Sequence, residues 1–170
     1  MDTIGLIYGS DTGFTEEITN AIIDKWQLSE IEVYEASYVK NSDIENFDIL
    51  FLGLSTWYDG DLQSDWENYF KKFETLDFTN KTIAIYGLGD QYGYGEYFID
   101  GVGILAKMII EKGGKIIGEW PTEGYEYEVS KAEIEGKDLF YGLAIDEDNQ
   151  PELTEERIDS WITILENQLN

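Results

Sequence analysis

The strongest constraint on the fold is the alternation of short apolar segments with longer segments of helical periodicity. The apolar segments have the length of strands and lie at residues 3–8, 31–36, 49–54, 82–86, 115–120 and 139–145. Between them, apolar side chains recur three and four residues apart at residues 18–26, 66–73, 102–110 and 154–169. This β-α-β order predicts an α/β fold of the doubly wound type, with a parallel sheet covered by helices on both faces.

Two local patterns refine the element boundaries. Residues 121–137 are polar and contain glycine where a fifth strand should continue, so we interpret them as an insertion that splits that edge strand. Ser64 and Glu67 stand three residues apart before an apolar helical stripe, which predicts a capping box at the start of that helix.

Composition excludes several classes of protein. With 170 residues, of which 42% are hydrophobic, the chain can bury the core of a single domain over residues 1–170. It contains no cysteine and no histidine. Disulfides, thiolate or imidazole metal sites, and catalysis by either side chain are therefore excluded, and we expect no metal site.

The charge of the chain indicates its partners, and the lack of a targeting pattern indicates its location. A net charge of −25 repels nucleic acid and anionic membranes and attracts proteins with a basic face, although an acidic surface can also serve solubility alone. We see neither a signal-peptide pattern nor the roughly 20 consecutive apolar residues of a membrane span. We therefore expect a cytoplasmic, monomeric protein without nucleic-acid or membrane partners.

The loop after the first predicted strand has the chemistry of a phosphate site. It reads Ser-Asp-Thr-Gly-Phe-Thr over residues 10–15, so hydroxyls and a glycine stand where a helix begins. Backbone N–H groups and the helix dipole favour an anion at such a terminus. The loop lacks the lysine of a Walker motif and the three spaced glycines of a dinucleotide motif. Ordinary helix capping by Thr12 or Thr15 is the alternative interpretation.

Two further loops, residues 55–60 and 88–95, place aromatic rings among small and polar residues at strand ends. Ligands of open parallel sheets bind at the carboxyl ends of the strands, near the point where the strand order reverses. Trp57 and Tyr94 from neighbouring loops would therefore be able to enclose a flat ligand between their faces. Packing of either ring on its own loop or on a partner protein is the alternative. Together the three loops favour a planar, phosphorylated cofactor.

These residues resemble a flavodoxin of the long-chain type over essentially the whole chain. The resemblance is carried by the loop at residues 10–15, by Thr56-Trp57, by Gly87-x-Gly89-Asp90-Gln91 with Tyr94, by residues 142–150 and by the insertion. It implies a five-stranded flavodoxin-like parallel sheet of order 2-1-3-4-5, with FMN at the point where the strand order reverses.

The resemblance also implies which residues hold FMN. Residues 10–15 would bind the phosphate, Trp57 and Tyr94 would stack on the flavin, the Tyr58–Asp59 and Gly89–Asp90 backbones would meet its edges, and Asp146 would approach the ribityl chain. The full set of predicted cofactor-binding residues is Ser10, Asp11, Thr12, Gly13, Phe14, Thr15, Ser55, Thr56, Trp57, Tyr58, Asp59, Gly60, Leu88, Gly89, Asp90, Tyr94 and Asp146.

A flavodoxin is expected to be a low-potential carrier that shuttles single electrons between redox proteins with basic docking faces and transforms no substrate of its own. A ferredoxin/flavodoxin reductase and an acceptor oxidoreductase are examples of such partners. Three alternatives stay open at this point: a flavin enzyme of the same fold, a phospho-accepting receiver domain and a cofactor-free interaction module. A receiver domain would need an acceptor aspartate after the third strand, where Ser55, Thr56 and Trp57 stand instead.

Overall fold

The computed structural model describes residues 2–170 and is built on a parallel sheet with helices between its strands. The strands are β1 (Ile4–Tyr8), β2 (Ile31–Glu35), β3 (Ile49–Trp57), β4 (Asp61–Leu62), β5 (Thr82–Leu88), β6 (Lys115–Ile117), β7 (Trp120–Pro121), β8 (Leu139–Phe140) and β9 (Leu143–Ile145). The helices are α1 (Phe14–Lys25), α2 (Asn41–Ile44), α3 (Ser64–Phe73), α4 (Asp100–Glu111) and α5 (Thr154–Leu169), with short 3-10 turns at Gly95–Tyr97 and Pro151–Leu153.

The strand order confirms the predicted fold class. The main sheet runs β2-β1-β3-β5-β6, with β9 also beside β5 and the short β4 antiparallel to the end of β3. β6 pairs with the first half of β5 and β9 with its second half, so both occupy the position of the fifth strand. The edge strand is therefore split, as the sequence predicted.

The split is wider than the predicted insertion. We predicted continuous strands over residues 115–120 and 139–145, but the chain leaves the sheet after β6 and returns only at β9. Gly118 has a φ of 76°, which turns the chain away from the sheet, and its carbonyl accepts a hydrogen bond from Trp161 Nε1 at 2.8 Å. The departing residues form β7 and β8, which pair with each other as a separate antiparallel ribbon.

The two faces of the sheet are covered by different helices. Leu50 and Leu52 of β3 pack in one core with aromatic and aliphatic side chains of α3 and α4. Phe51, between them in sequence, packs in the second core with Trp26 and with Trp161 of α5. Because successive side chains of a strand point to opposite faces, the apolar run of β3 supplies both cores.

The predicted ends of two strands were wrong near the carboxyl edge of the sheet. β3 continues to Trp57 and β5 to Leu88, beyond the predicted ends at residues 54 and 86. Ser55 pairs with Leu88 and Thr56 with Leu62, although these residues are not uniformly apolar.

At α3 the predicted capping box of Ser64 and Glu67 does not form. Gln63 is the N-cap instead, and its side-chain oxygen accepts from Trp66 N at 3.3 Å.

Among residues 2–170, no helix is both long enough and apolar enough to cross a membrane.

Candidate functional site

A cavity of about 250 Å³ opens at the carboxyl ends of β1, β3 and β5. This is where the strand order of an open α/β sheet reverses and where ligands of such sheets bind. The residues that line it are Thr12, Phe14, Thr15, Ser55, Thr56, Trp57, Tyr58, Leu88, Gly89, Asp90, Tyr94, Glu147 and Asp148. All three predicted loops therefore contribute to one cavity.

The loop that leads from β1 into α1 presents unused backbone donors. Gly13 is the N-cap residue with a φ of 92°, and no side chain caps the helix, so capping by Thr12 or Thr15 is not observed. Ser10 Oγ instead accepts from Gly13 N at 3.0 Å and shapes the turn before the helix. The first N–H groups of α1 have no partner within the helix, and a bound anion would satisfy them.

Asp11 anchors this loop to the neighbouring helix. Its Oδ1 accepts from Gln63 Nε2 at 2.9 Å and from Ser64 Oγ at 2.8 Å. Asp11 lies outside the cavity lining and on a second, more open groove beside Trp57. Its carboxylate therefore fixes the position of the loop against the start of α3.

Aromatic side chains line the rim of the cavity at the ends of β3 and β5. The Trp57 indole is fixed by a hydrogen bond from its Nε1 to Ser55 Oγ at 2.7 Å. Tyr94 is 54% exposed and Tyr58 is 70% exposed. Both exposed rings are available to a ligand or to a docking protein.

The backbone around the cavity is strained at two positions that are not glycine. Tyr58 has a φ of 48° and Ile99 a φ of 45°, in the left-handed region that β-branched and bulky residues rarely adopt. The buried Ile99 backs the cavity, because a Cβ added to Gly89 would lie 3.1 Å from its Cγ2. Such outliers concentrate at ligand sites, where the surrounding structure holds them.

Helix α4 supports the end of β3 through its first turn. Thr56 Oγ1 accepts from Gly101 N at 2.9 Å, and the buried Asp100 accepts from Lys131 N at 2.8 Å. A Cβ on Gly60 would come within 2.7 Å of Asp100 Oδ2, so Gly60 is packed directly on this carboxyl. Burial raises the pKa of Asp100, an effect that its hydrogen bond and the nearby charges of Lys131 and Lys107 offset only in part.

We expect Asp100→Asn to raise the free energy of unfolding at neutral pH. Because the pKa of Asp100 is raised in the folded state, its ionisation weakens the fold as pH increases above the unfolded-state pKa. Asparagine keeps an acceptor for Lys131 N and removes the buried charge. Urea unfolding of both proteins between pH 3.5 and 7.5 would show an advantage of the variant that is present at pH 7 and disappears at the acid end. A gain in the free energy of unfolding that did not change with pH would contradict an origin in the ionisation of Asp100.

The loop after β5 is folded around the Asp90 carboxylate. Its Oδ1 accepts from Gly93 N at 2.7 Å, from Asn149 Nδ2 at 2.8 Å and from Tyr92 N at 3.1 Å, while Tyr94 N donates to the Asp90 carbonyl at 3.0 Å. Partial burial opposes ionisation of Asp90, but these donors hold its pKa below the usual range. The carboxylate therefore keeps its charge beside the cavity and fixes the loop that carries Tyr94.

Asp146 is one of the predicted site residues that do not line the cavity. It is completely buried, and its oxygens accept from the amides of Gln91 and Asn149, so it lies beneath the cavity and not in its lining. Glu147 and Asp148, which we did not select, line the cavity instead. The acidic run after the last strand was visible in the sequence, but the sequence does not indicate which of three successive carboxylates faces inward.

Asp148 is the more exposed of these two acids, yet its surroundings still oppose its charge. Partial burial, followed by the neighbouring carboxylates of Asp90 and Asp146, raises its pKa. Negative charge is therefore concentrated at this side of the cavity, where a bound group would experience it.

The remaining predicted residues surround the cavity without lining it. Ser10, Asp11 and Gly13 shape the first loop, Gly60 is buried against Asp100, and Asp59 is exposed next to Tyr58. The structure thus brings eleven of the seventeen predicted residues into one lining, with the other six behind or beside it. Their contacts with a ligand stay predictions.

Comparison with known proteins shows the family to which the chain belongs. A family profile described as Flavodoxin matches residues 6–161. A flavodoxin of Picosynechococcus sp. is 48% identical over 166 residues, covering 97% of this chain and 96% of that protein, and a Klebsiella pneumoniae flavodoxin is 43% identical over 170 residues, covering 100% and 96%. The crystal structure of Fusobacterium nucleatum flavodoxin bound to flavin mononucleotide superposes with a TM-score of 0.92 at 37% identity, covering 99% of each chain. The chain therefore belongs to the flavodoxin family.

Proposed function

We propose that this protein is a low-potential electron carrier that holds FMN non-covalently in the cavity described above. The observation that carries the proposal is the convergence of an uncapped helix terminus and aromatic side chains from two neighbouring strand ends on a single cavity. A phosphate needs the first feature and a planar ring system needs the second. The F. nucleatum flavodoxin bound to flavin mononucleotide supports the same assignment.

The donor set fits this cofactor. The free N–H groups at the start of α1, with the Thr12 and Thr15 side chains, would hold the phosphate. Trp57 and Tyr94 would cover the two faces of the isoalloxazine, and the Tyr58–Asp59 and Gly89–Asp90 backbones would meet its polar edges. Glu147 and Asp148, both in the lining, would be acidic neighbours of the ribityl chain, with Asp146 buried behind them.

When bound, FMN supplies the capacity to accept and donate single electrons, and the residues of the chain determine at what potential. The exposed Asp59 and the cavity-lining Asp90 and Asp148 place negative charge around the site. Such charges disfavour the addition of an electron, more strongly where water is excluded. The Trp57 and Tyr94 rings would exclude water from the ring system, so both effects lower the potential.

Asp59→Asn is expected to raise the potential of the last one-electron reduction by about 20–45 mV. A unit charge about 8 Å away in an effective dielectric of about 40–80, suited to an exposed side chain, costs about 0.5–1 kcal/mol. For one electron this equals about 20–45 mV. Redox titration of the loaded protein measures the shift, with the exposed Asp24 near the far end of α1 as a matched control, changed to Asn. An unchanged potential in Asp59→Asn, or an equal shift in the control, would refute the local effect.

We further propose that the partners are redox proteins with basic docking faces and that the chain acts as a single, monomeric domain over residues 1–170 in the cytoplasm, without a substrate of its own. The exposed Asp61 and Glu67 line the same groove as the exposed Tyr58, and the exposed Asp59 follows Tyr58 in the chain. None of these three carboxylates has an ion-pair partner among residues 2–170. An apolar centre within an unneutralised acidic rim is complementary to a basic protein surface.

The direct test is to add FMN to the apoprotein. We expect its fluorescence to be quenched to a one-to-one endpoint, with a visible flavin spectrum that is retained on gel filtration and released on denaturation. The loaded protein should accept electrons from a reductase but should not by itself oxidise NADPH at a steady rate. Absence of quenching would refute the cofactor, whereas steady NADPH oxidation by the protein alone would make it an enzyme.

A further inference from the structure

The insertion (residues 121–137) contacts the loop that carries Tyr94. Glu128 N and Val129 N both donate to the Gly95 carbonyl, at 2.8 and 3.0 Å. Glu126 N donates to Gln91 Oε1 at 2.6 Å, and Glu126 Oε2 accepts from Tyr92 OH at 3.0 Å. Residues 126–129 therefore run along the outer side of the 91–95 loop and form hydrogen bonds with it at both ends.

Gln91 is the buried joint between the two segments. Only 2% of it is exposed, and every polar atom of its side chain is engaged, since Oε1 accepts from the insertion and Nε2 donates to Asp146 Oδ2 at 2.7 Å. Its backbone N donates to the same carboxylate oxygen at 3.1 Å. One side chain thus connects the insertion to the end of the sheet through the base of the Tyr94 loop.

The connection continues from Asp146 to the cavity. Asn149 Nδ2 lies 2.9 Å from Asp146 Oδ2 and 2.8 Å from Asp90 Oδ1, so one amide group links the two carboxylates. Asp90 in turn folds the loop and lines the cavity. The path from the insertion to the cavity is therefore Glu126, Gln91, Asp146, Asn149 and Asp90, with a hydrogen bond at each step.

We infer that the insertion supports the 91–95 loop, which faces the cofactor, and that Gln91 is the positioning residue that couples the insertion to this loop. The inference rests on the proposed binding of FMN, whose ring would be covered by Tyr94. A network of buried amides and carboxylates holds a unique geometry only when every polar group has a hydrogen-bond partner. Removal of the Gln91 amide would therefore leave both Glu126 N and Asp146 Oδ2 without that partner. Coupling between two sites is reciprocal. The cofactor therefore orders the insertion to the same extent as the insertion supports the cofactor.

The first test uses the unaltered protein. Addition of FMN to the apoprotein should slow hydrogen exchange of the Glu126, Glu128 and Val129 amides by about tenfold or more, since they are bonded to the loop that the ligand orders. The Ile4 amide, bonded to Glu30 O at the opposite edge of the sheet, serves as the reference. If FMN binds but exchange at residues 126–129 follows the reference, the coupling is refuted while the cofactor assignment stands. If FMN does not bind, the proposed function fails instead.

The second test separates Gln91 from its neighbours. Gln91→Leu keeps a similar volume but removes both side-chain links, and we expect it to raise the FMN dissociation constant about tenfold and to abolish the FMN-dependent protection of Glu126. Tyr92→Phe removes only the exposed bond to Glu126 Oε2 and should change the dissociation constant less than about twofold. Wild-type affinity, or wild-type protection of Glu126, in Gln91→Leu would overturn the role of Gln91. The exchange test on the unaltered chain decides the coupling even if this variant does not fold.

Discussion

Asp146→Asn is expected to lower the free energy of unfolding of the apoprotein by about 3 kcal/mol, because both oxygens of this buried carboxylate face only hydrogen-bond donors. Oδ2 accepts from Gln91 N and Nε2 at 3.1 and 2.7 Å and from Asn149 Nδ2 at 2.9 Å. Oδ1 accepts from Asn149 N at 3.0 Å. In either orientation, an asparagine would direct an NH₂ group at one of these donor sets. Urea unfolding at neutral pH measures the loss.

The adjacent acid provides a matched control. The Asp148 side chain is exposed and accepts no comparable set of hydrogen bonds, so the free energy of unfolding of Asp148→Asn should stay within about 0.5 kcal/mol of that of the unaltered protein. The comparison also separates two roles for Asp146. If Asp146 acted only through direct contact with the cofactor, Asp146→Asn would lower FMN affinity and leave the apoprotein equally stable. If Asp146 anchors the loop from beneath, the same substitution lowers both the affinity and the stability. Unchanged stability of the apoprotein with Asp146→Asn would show that the network is not structural.

The elements that depend on periodicity and on backbone chemistry could be predicted from the sequence. The strands alternate with helices because both faces of a parallel sheet must be covered, and this is read directly from the spacing of apolar residues. The predicted phosphate-binding loop at residues 10–15 and the rings of Trp57 and Tyr94 could be placed at one edge of the sheet, because the carboxyl ends of parallel strands meet at that edge. The structure places Thr12, Trp57 and Tyr94 in one cavity lining.

What could not be predicted depends on which way a side chain points. Three successive acids, residues 146–148, follow β9. Asn149 N donates to the Asp146 side chain and Gln150 N to its carbonyl, and this turn determines that the first acid is buried while the next two face the cavity. The cap of α3 was misassigned for a related reason. Gln63 is not a favoured N-cap by propensity, but its side chain also donates to Asp11, a tertiary contact that local sequence does not reveal.

The lengths of β3 and β5 were also underestimated for a physical reason. Hydropathy falls at Ser55 and at Gly87, yet pairing with the neighbouring strands continues to the cavity. Strand backbones tolerate polar residues at the carboxyl edge because the ladder hydrogen bonds are independent of the side chain. Ser55, Thr56 and Leu88 are therefore held by the rigid sheet, which is a firmer support for a site than a free loop.

That rigidity underlies the second large effect that we expect. Trp57→Ala should weaken FMN binding by about 1–3 kcal/mol, a rise of roughly 5- to 150-fold in the dissociation constant, as estimated from the stacking of aromatic side chains on bases. Trp57 is the last residue of β3, and its indole is fixed by the bond to Ser55 Oγ, so little ordering entropy opposes stacking. Fluorescence titration of the apoprotein measures the change.

The interpretation of this result depends on two further variants. Trp57→Phe keeps a ring and should recover most of the affinity, whereas Tyr38→Ala removes a ring that is 80% exposed outside the cavity and should leave the affinity unchanged. Because Trp57 is only partly buried, its removal should cost the apoprotein little stability, and the loss should appear in binding alone. Equal affinity in Trp57→Ala and the unaltered protein would place the flavin elsewhere, since a ring system bound in this cavity must contact the indole that forms its wall.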